Sequence, residues 1–386
     1  MQKPLSPAWV SHLEWNDFSL WERAARFLKE LNSRDVIAIL YDEDGDGISS
    51  AAIASIGVER IRGKAPDHIM PFPRSTEFVS SGLPQDLRRL GVTKLITLDR
   101  KVDQAGADFL QRLAKTCDVL IVDHHHSTET SHPSNMIAFY PDRVWKTTSS
   151  NFPTAILAFT LFSGACDLHE KDWIACIGII SDSSYRTWKP FVDASVKKWG
   201  FSPIGIDPFI SGFGEMSQTI YAIGSLNRAA FPDFLELLIE ADSPKAILDS
   251  DYRLLREIIE AESNKWFEEM KKTMSFFPEM QLHLGKIKPR HSVKSLVINR
   301  LSHELFPNET VVLMQEVPGE KILISARRQD GKIPLNEVIE QCVQGLPEAN
   351  GGGHIQSSAA IIQKQDEVIF VKRLKELLSK KYKLPD

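Results

Sequence analysis

The sequence predicts an α/β protein: an N-terminal domain built on a parallel sheet, a long connecting helix and a smaller C-terminal α/β domain. Three observations predict it. Apolar, β-branched runs at 36–40, 94–98 and 118–122 alternate with stretches of helical period, the pattern of a parallel sheet covered by helices. Each run ends in an aspartate or an aspartate–histidine cluster, so chemistry-bearing side chains gather on one edge of that sheet. A charged helical stretch at 243–276 then precedes a change to short β-rich segments after Pro278. The expected boundaries are 1–242, 243–276 and 277–386.

The composition excludes several classes. A chain of 386 residues, 42% hydrophobic and 25% charged, has the balance of a water-soluble globular protein and the length for two cores. With a net charge of −5 it is no basic nucleic-acid glove, so any polyanion must meet a local basic groove or bound metals. The four cysteines are scattered, with no CxxC pair, which reads as a reducing compartment and not as structural zinc. The first residues carry no apolar signal core, and no apolar run spans a bilayer; the expectation is a cytoplasmic protein without membrane attachment.

In chain order, residues 18–31 carry apolar side chains at helical spacing. The strand at 36–40 leads into Asp42-Glu43-Asp44-Gly45-Asp46-Gly47, with a helix expected at about 48–62. Three aspartates at alternate positions repel one another unless a cation sits among them. An EF-hand needs Glu at position twelve, where this chain has Ile53, and helices on both sides; an acidic surface loop is the other bland alternative. A catalytic metal site fits the strand-to-helix context. Arg74, after Pro71-Phe72-Pro73, is a candidate phosphate holder, with a solvated arginine as the alternative. A helix is expected at 83–90, then the strand 94–98 ending in Asp99, a helix at 103–116, and the strand 118–122 followed by Asp123-His124-His125-His126. A helix at 149–164 follows. The run 172–180 reads as a buried helix or strand, and Asp182 closes it as a fourth strand-end-like carboxylate or as a helix cap. Beyond the connecting helix, strands are expected at 280–284, 295–298, 310–314, 321–326 and 357–363, with helices at 334–344 and 367–381. Ser325-Ala326-Arg327 ends one of these strands, and Asn350-Gly351-Gly352-Gly353-His354 reads as a loop whose glycines let the backbone approach a phosphate or chain end.

The order and spacing of Asp42–Gly47, Asp99, Asp123-His124-His125, Asp182 and Gly351-Gly352-Gly353-His354 resemble the DHH phosphoesterase superfamily, from about residue 34 onward. The C-terminal part is similar to its DHH-associated substrate-binding domain. Within the superfamily the chain looks most like the RecJ-type exonucleases, their archaeal GINS-associated relatives and the nanoRNases. The resemblance implies that Asp42 and Asp44 bind one metal, that Asp46, His124 and Asp182 bind a second, and that Asp99 bridges them. It implies that His125 contacts the scissile phosphate, with Asp123 orienting a histidine, and that Ser325, Arg327, Gly352, Gly353 and His354 hold phosphates or a terminal nucleotide. Two divalent ions are implied, manganese foremost and magnesium second, matching an oxygen-rich site with histidine. The chain departs from the pattern at Asp42, where many relatives have histidine, at Arg100-Lys101 in place of a small turn after Asp99, and in the extra His126. Leu226-Asn227-Arg228 only loosely matches a RecJ-type segment, and the expectation is a chain without the extra oligonucleotide-binding domain of bacterial RecJ. The implied function is a two-metal phosphodiesterase, an exonuclease on single-stranded DNA or RNA with a lean toward 3′ to 5′. The alternatives are a nanoRNase or small-nucleotide phosphatase, or a replisome scaffold; the implied partners are single strands, short oligonucleotides and GINS-like replication proteins.

Overall fold

The computed structural model describes residues 7–73, 82–127, 131–205 and 207–381. It divides into two compact units, Met1–Arg256 and Glu257–Asp386.

In the first unit, five parallel strands lie in the order β2-β1-β3-β4-β5: β1 Ile37–Tyr41, β2 His68–Pro71, β3 Lys94–Leu98, β4 Asp118–Val122 and β5 Met136–Phe139. The central strands are apolar throughout because both faces are covered. Ile37, Ile39 and Tyr41 enter one core with the helices α1 Phe18–Lys29 and α2 Gly45–Arg62, while Ala38 and Leu40 enter the other with α3 Leu83–Arg89 and α4 Ala107–Ala114. The first core is closed by the apolar helices α5 Thr154–Ser163 and α6 Asp172–Ser181, followed by α7 Tyr185–Lys198, α8 Gly212–Leu226 and α9 Phe231–Glu240. α10, Arg253–Thr273, runs across the division between the units.

Several expectations change. The run at 172–180 is helical, so Asp182 follows a helix C-terminus and not a strand. α2 begins at Gly45, three residues before the expected start, because Asp44 caps it: its side chain accepts hydrogen bonds from Asp46 N–H and Gly47 N–H. The helix expected at 103–116 is split by Gly106 (φ 93°) into a 3-10 turn, Val102–Ala105, and α4. The strand β5 has no counterpart among the expected elements. Arg74 lies outside the described residues.

The second unit carries a six-stranded mixed sheet in the order β10-β11-β9-β8-β7-β6. Its strands are β6 Ser275–Phe277, β7 Leu282–Ile287, β8 Thr310–Val317, β9 Lys321–Arg327, β10 Asn350–Gly353 and β11 Ser357–Gln363. The expected strand at 295–298 is instead α11, Lys294–Arg300. Its β-branched residues favour a strand, but Val293, Val297 and Leu301 are all fully buried at a helical spacing of four, and that packing prevails. α12 Leu335–Val343 and α13 Glu367–Lys381 bury Val338, Ile339, Phe370 and Leu374 against the face that presents Ile322, Ile324 and Ala326. The expected glycine loop is the edge strand β10, antiparallel to β11.

Candidate metal centre

The sheet register assembles the centre. Tyr41 pairs with Leu98, and Leu98 with Val122. Asp42, Asp99 and Asp123 therefore stand in a row, each one residue past the last pair. The chain moves from β1 outward to β2 and then back to β3 on the other side, so the β1–β3 boundary is the topological switch point, where open α/β sheets bind ligands. Asp42 and Asp99 flank that boundary. Asp99 has φ 59°, a left-handed conformation that aspartate tolerates better than most residues, and its N–H donates to Val122 O at 3.1 Å.

The other groups arrive from helices. Asp46 sits in the first turn of α2, and its carboxylate accepts from Thr154 N–H at 2.6 Å and Ala155 N–H at 2.9 Å, the open N-terminus of α5. Thr154 Oγ1 donates to Asp99 Oδ1 at 3.0 Å. Gly178 of α6 makes room: a Cβ there would lie 2.3 Å from Ala155 Cβ and 2.7 Å from Asp46 Oδ1. His124 Nε2 is 3.4 Å from Asp99 Oδ1 and 3.9 Å from Asp46 Oδ2, while Nδ1 is 3.8 Å from Asp182 Oδ2. His125 Nδ1 is 2.8 Å from Asp123 Oδ1, which also accepts the His125 backbone N–H at 3.1 Å.

Two groups of ligand atoms converge within 4.8 Å here: Asp46, His124 and Asp182, and Asp99, His124 and His125. Among the described residues, Asp42 and Asp44 enter neither group. Asp42 faces Arg100, whose Nη1 is 3.2 Å from Oδ2, and Asp44 spends Oδ1 on its cap. His126 is exposed and joins neither group. A third group, Asp167, His169 and Glu170, lies on the surface with Arg60 bound to Glu170.

The electrostatics are those of an anionic cluster short of positive charge. Burial, then the Asp99 charge, pushes the Asp46 carboxyl well above the ordinary range, with His124 opposing. Desolvation and then Asp99 push Asp44 up to about 7, although solvent on its outer face tempers both effects. For His124, burial disfavours the charged ring, but the hydrogen bond to Asp99 and the charges of Asp46 and Asp182 prevail and raise it to about 10. Asp99 is held below its usual value: burial opposes ionisation, and His124, His125 and the Thr154 hydroxyl outweigh it. Among the described residues, buried His124 Nδ1 and Asp123 Oδ2 have no hydrogen-bond partner. Carboxylates plus imidazole, an unmet charge and orphaned polar atoms together fit a divalent cation.

Sequence reasoning missed Thr154, the Ala155 N–H and Gly178. The helix start at Pro153-Thr154 was a local signal for the first two; for Gly178 nothing local marks its role, because the close approach it permits is tertiary.

In the second unit, Ser325 pairs with Ala359 and Ala359 with Gly352, placing all three in one row. Arg327, at the end of β9, donates from Nε to Asn299 Oδ1 at 2.8 Å. Gly353 has φ 142°, and a Cβ there would come within 2.5 Å of Ser357 O; His354 N–H donates to that same oxygen at 2.7 Å. Ser325, Arg327, Gly352, Gly353 and His354 thus come together at one end of three neighbouring strands.

Residues 36–175 match the DHH family, N-terminal domain, and residues 291–380 match the DHHA1 domain. No curated protein matches the chain in sequence. Among solved structures it resembles RecJ in complex with Mn2+ from Thermus thermophilus, with TM-score 0.68 and 18% identity. That match covers all of this chain and 57% of the Thermus chain, so this chain spans little more than half of that relative. A structure of exonuclease RecJ bound to manganese matches with TM-score 0.64 and 18% identity over 95% of both chains. CDC45 from Entamoeba histolytica matches with TM-score 0.56 and 11% identity, over 94% of this chain and 99% of that one. At these identities the likeness is one of fold. The two domain matches make this chain a member of the DHH family that carries a DHHA1 domain, with a fold like that of RecJ.

Proposed function

We propose that this protein is a metal-dependent phosphodiesterase that removes nucleotides from the end of single-stranded DNA or RNA. The observation that carries the reading is the meeting of two ligand groups at His124, Asp46 with Asp182 and Asp99 with His125, at the switch point of the parallel sheet. In this reading Asp46, Asp99, His124 and Asp182 hold one divalent ion, manganese or magnesium. Asp42 and Asp44, with Asp99, would hold a second. Such ions, when bound, would make an attacking water more acidic and offset the negative charge that develops in the reaction.

The chain's own groups do the rest. Thr154 Oγ1–H and the α5 backbone N–H groups fix Asp99 and Asp46. Asp123 holds His125 through Nδ1 and raises its affinity for a proton, which leaves Nε2–H to donate to a phosphate oxygen. In the second unit, Ser325, Arg327, His354 and the glycine backbone bind phosphates or the terminal nucleotide, which favours an end over an internal bond. The expected polarity is 3′ to 5′.

The test is digestion of end-labelled DNA and RNA, from dinucleotides to long strands, in manganese, with Asp99→Ala as control. A ladder on long strands, lost in the variant, supports the exonuclease and reads its polarity from the labelled end. Cleavage of dinucleotides alone makes the protein a nanoRNase. Cleavage that is independent of metal or survives Asp99→Ala refutes the proposal; no cleavage at all points to a scaffold.

A further inference from the structure

Arg100 occupies a place where the metal reading expects a cation. Asp99 turns the backbone through its left-handed conformation, so the next side chain leaves the carboxylate row and returns over Asp42. The guanidinium also lies 5.6 Å from the ring centroid of Phe72, a buried residue hydrogen-bonded through its N–H to Tyr41 O. That seat holds the arginine against the end of β1. Asp42 is thereby engaged twice, by Arg100 at Oδ2 and by the Glu43 N–H at Oδ1. Its neighbour Asp44 is committed to the helix cap. Neither belongs to a convergent ligand group among the described residues, whereas Asp46, Asp99, His124 and Asp182 all do.

We propose that Arg100 is an internal counter-ion for the Asp42 half of the centre. The free protein binds one divalent ion tightly, at Asp46, Asp99, His124 and Asp182. A second binds at Asp42 and Asp44 only when the guanidinium leaves Asp42. An incoming phosphodiester carries the negative charge that Arg100 then pairs with, so substrate promotes completion of the centre. The inference rests on the metal reading above. The pair is only partly shielded, with Arg100 38% and Asp42 34% exposed. A fixed positive charge ~5 Å from a dication in such a setting weakens its binding roughly ten- to a hundredfold.

The test is titration of the full chain with manganese, following free ion by electron paramagnetic resonance, for the wild type, Arg100→Gln and Arg100→Lys. The expected result is one tight ion in the wild type, with a second ~10–100-fold weaker. In Arg100→Gln the second ion binds nearly as tightly as the first, and Arg100→Lys, which keeps the charge, retains the gap. Thermal melts of the metal-free proteins check that the variants fold. Two equally tight ions in the wild type, or an unchanged gap in Arg100→Gln, overturn the inference and leave the metal reading standing. No bound ion in any of the three proteins overturns both.

Discussion

Gly178→Ala tests how packing positions the centre. The added methyl would lie 2.3 Å from Ala155 Cβ and 2.7 Å from Asp46 Oδ1, where ordinary contacts begin near 3.4 Å. α6 and α5 must therefore separate by about 1 Å, or the carboxylate must move, because a buried interface has no slack. Overpacking of this kind costs about 1–3 kcal/mol, and the better helix propensity of alanine returns about 1 kcal/mol. The expected net loss is up to about 2 kcal/mol of stability in chelator. Shifting a ligand by about 1 Å costs at least about tenfold in ion affinity. Gly57→Ala is the control. Its methyl would meet the Phe162 ring at 2.2 Å in the same core, but Gly57 is eleven residues along α2 from Asp46, roughly 16 Å at the helical rise. Urea unfolding and manganese titration are the assays. Gly178→Ala should lose stability and ion affinity together, and Gly57→Ala stability alone. Wild-type ion affinity in Gly178→Ala, or an equal loss in Gly57→Ala, would refute the reasoning.

Three further outcomes follow from the same structure. Thr154→Val removes the hydroxyl that supports buried Asp99; it should cost about 1–3 kcal/mol of stability and weaken manganese binding about 10–100-fold, read by unfolding and titration. Lys294 is 9% exposed and has no carboxylate partner among the described residues, and burial, then Arg327, lowers its pKa to about 8. The unfolded chain therefore binds the extra proton between about pH 8 and 10.5, and stability rises with pH across that window. Lys294→Met should stabilise the protein by about 2 kcal/mol at pH 7, a gain that shrinks toward pH 10 in urea unfolding. Asp67 is held below the usual carboxylate range: burial opposes this, but Lys64, the Ile37 N–H and Arg62 outweigh it. Its contribution is present above about pH 4 and lost as pH falls through the lowered value. Asp67→Asn should cost about 2–3 kcal/mol at pH 7, because the fully buried Arg62 guanidinium loses its carboxylate, and the deficit should narrow in acid.

What the sequence revealed, and what it hid, follows from the range of the interactions involved. The strand-end aspartates were legible because an apolar run followed by Asp is a local pattern, and parallel topology then places such residues on one edge. β11 and α13 were legible to the residue, since their periods run unbroken between clear stops. The start of α2 was misplaced because Asp44 serves as a cap, and the aspartate-rich turn masked that role. α6 was ambiguous: a run buried on every side carries no period to separate helix from strand. At Arg100 the local reading found an odd residue after Asp99, but its pairing with Asp42 depends on the β1–β3 register and the turn at Asp99, which no local pattern encodes. Thr154 and Gly178 act on Asp46 and Asp99 from far along the chain, and their importance exists only once the helices have packed.

The most direct test of the central account is anomalous diffraction at the manganese edge from crystals grown with Mn2+. The account predicts a strong peak among Asp46, Asp99, His124 and Asp182, with any second peak on the Asp42–Asp44 side of Asp99. Peaks confined to the surface group of Asp167, His169 and Glu170, or none at the end of the parallel sheet, would contradict it.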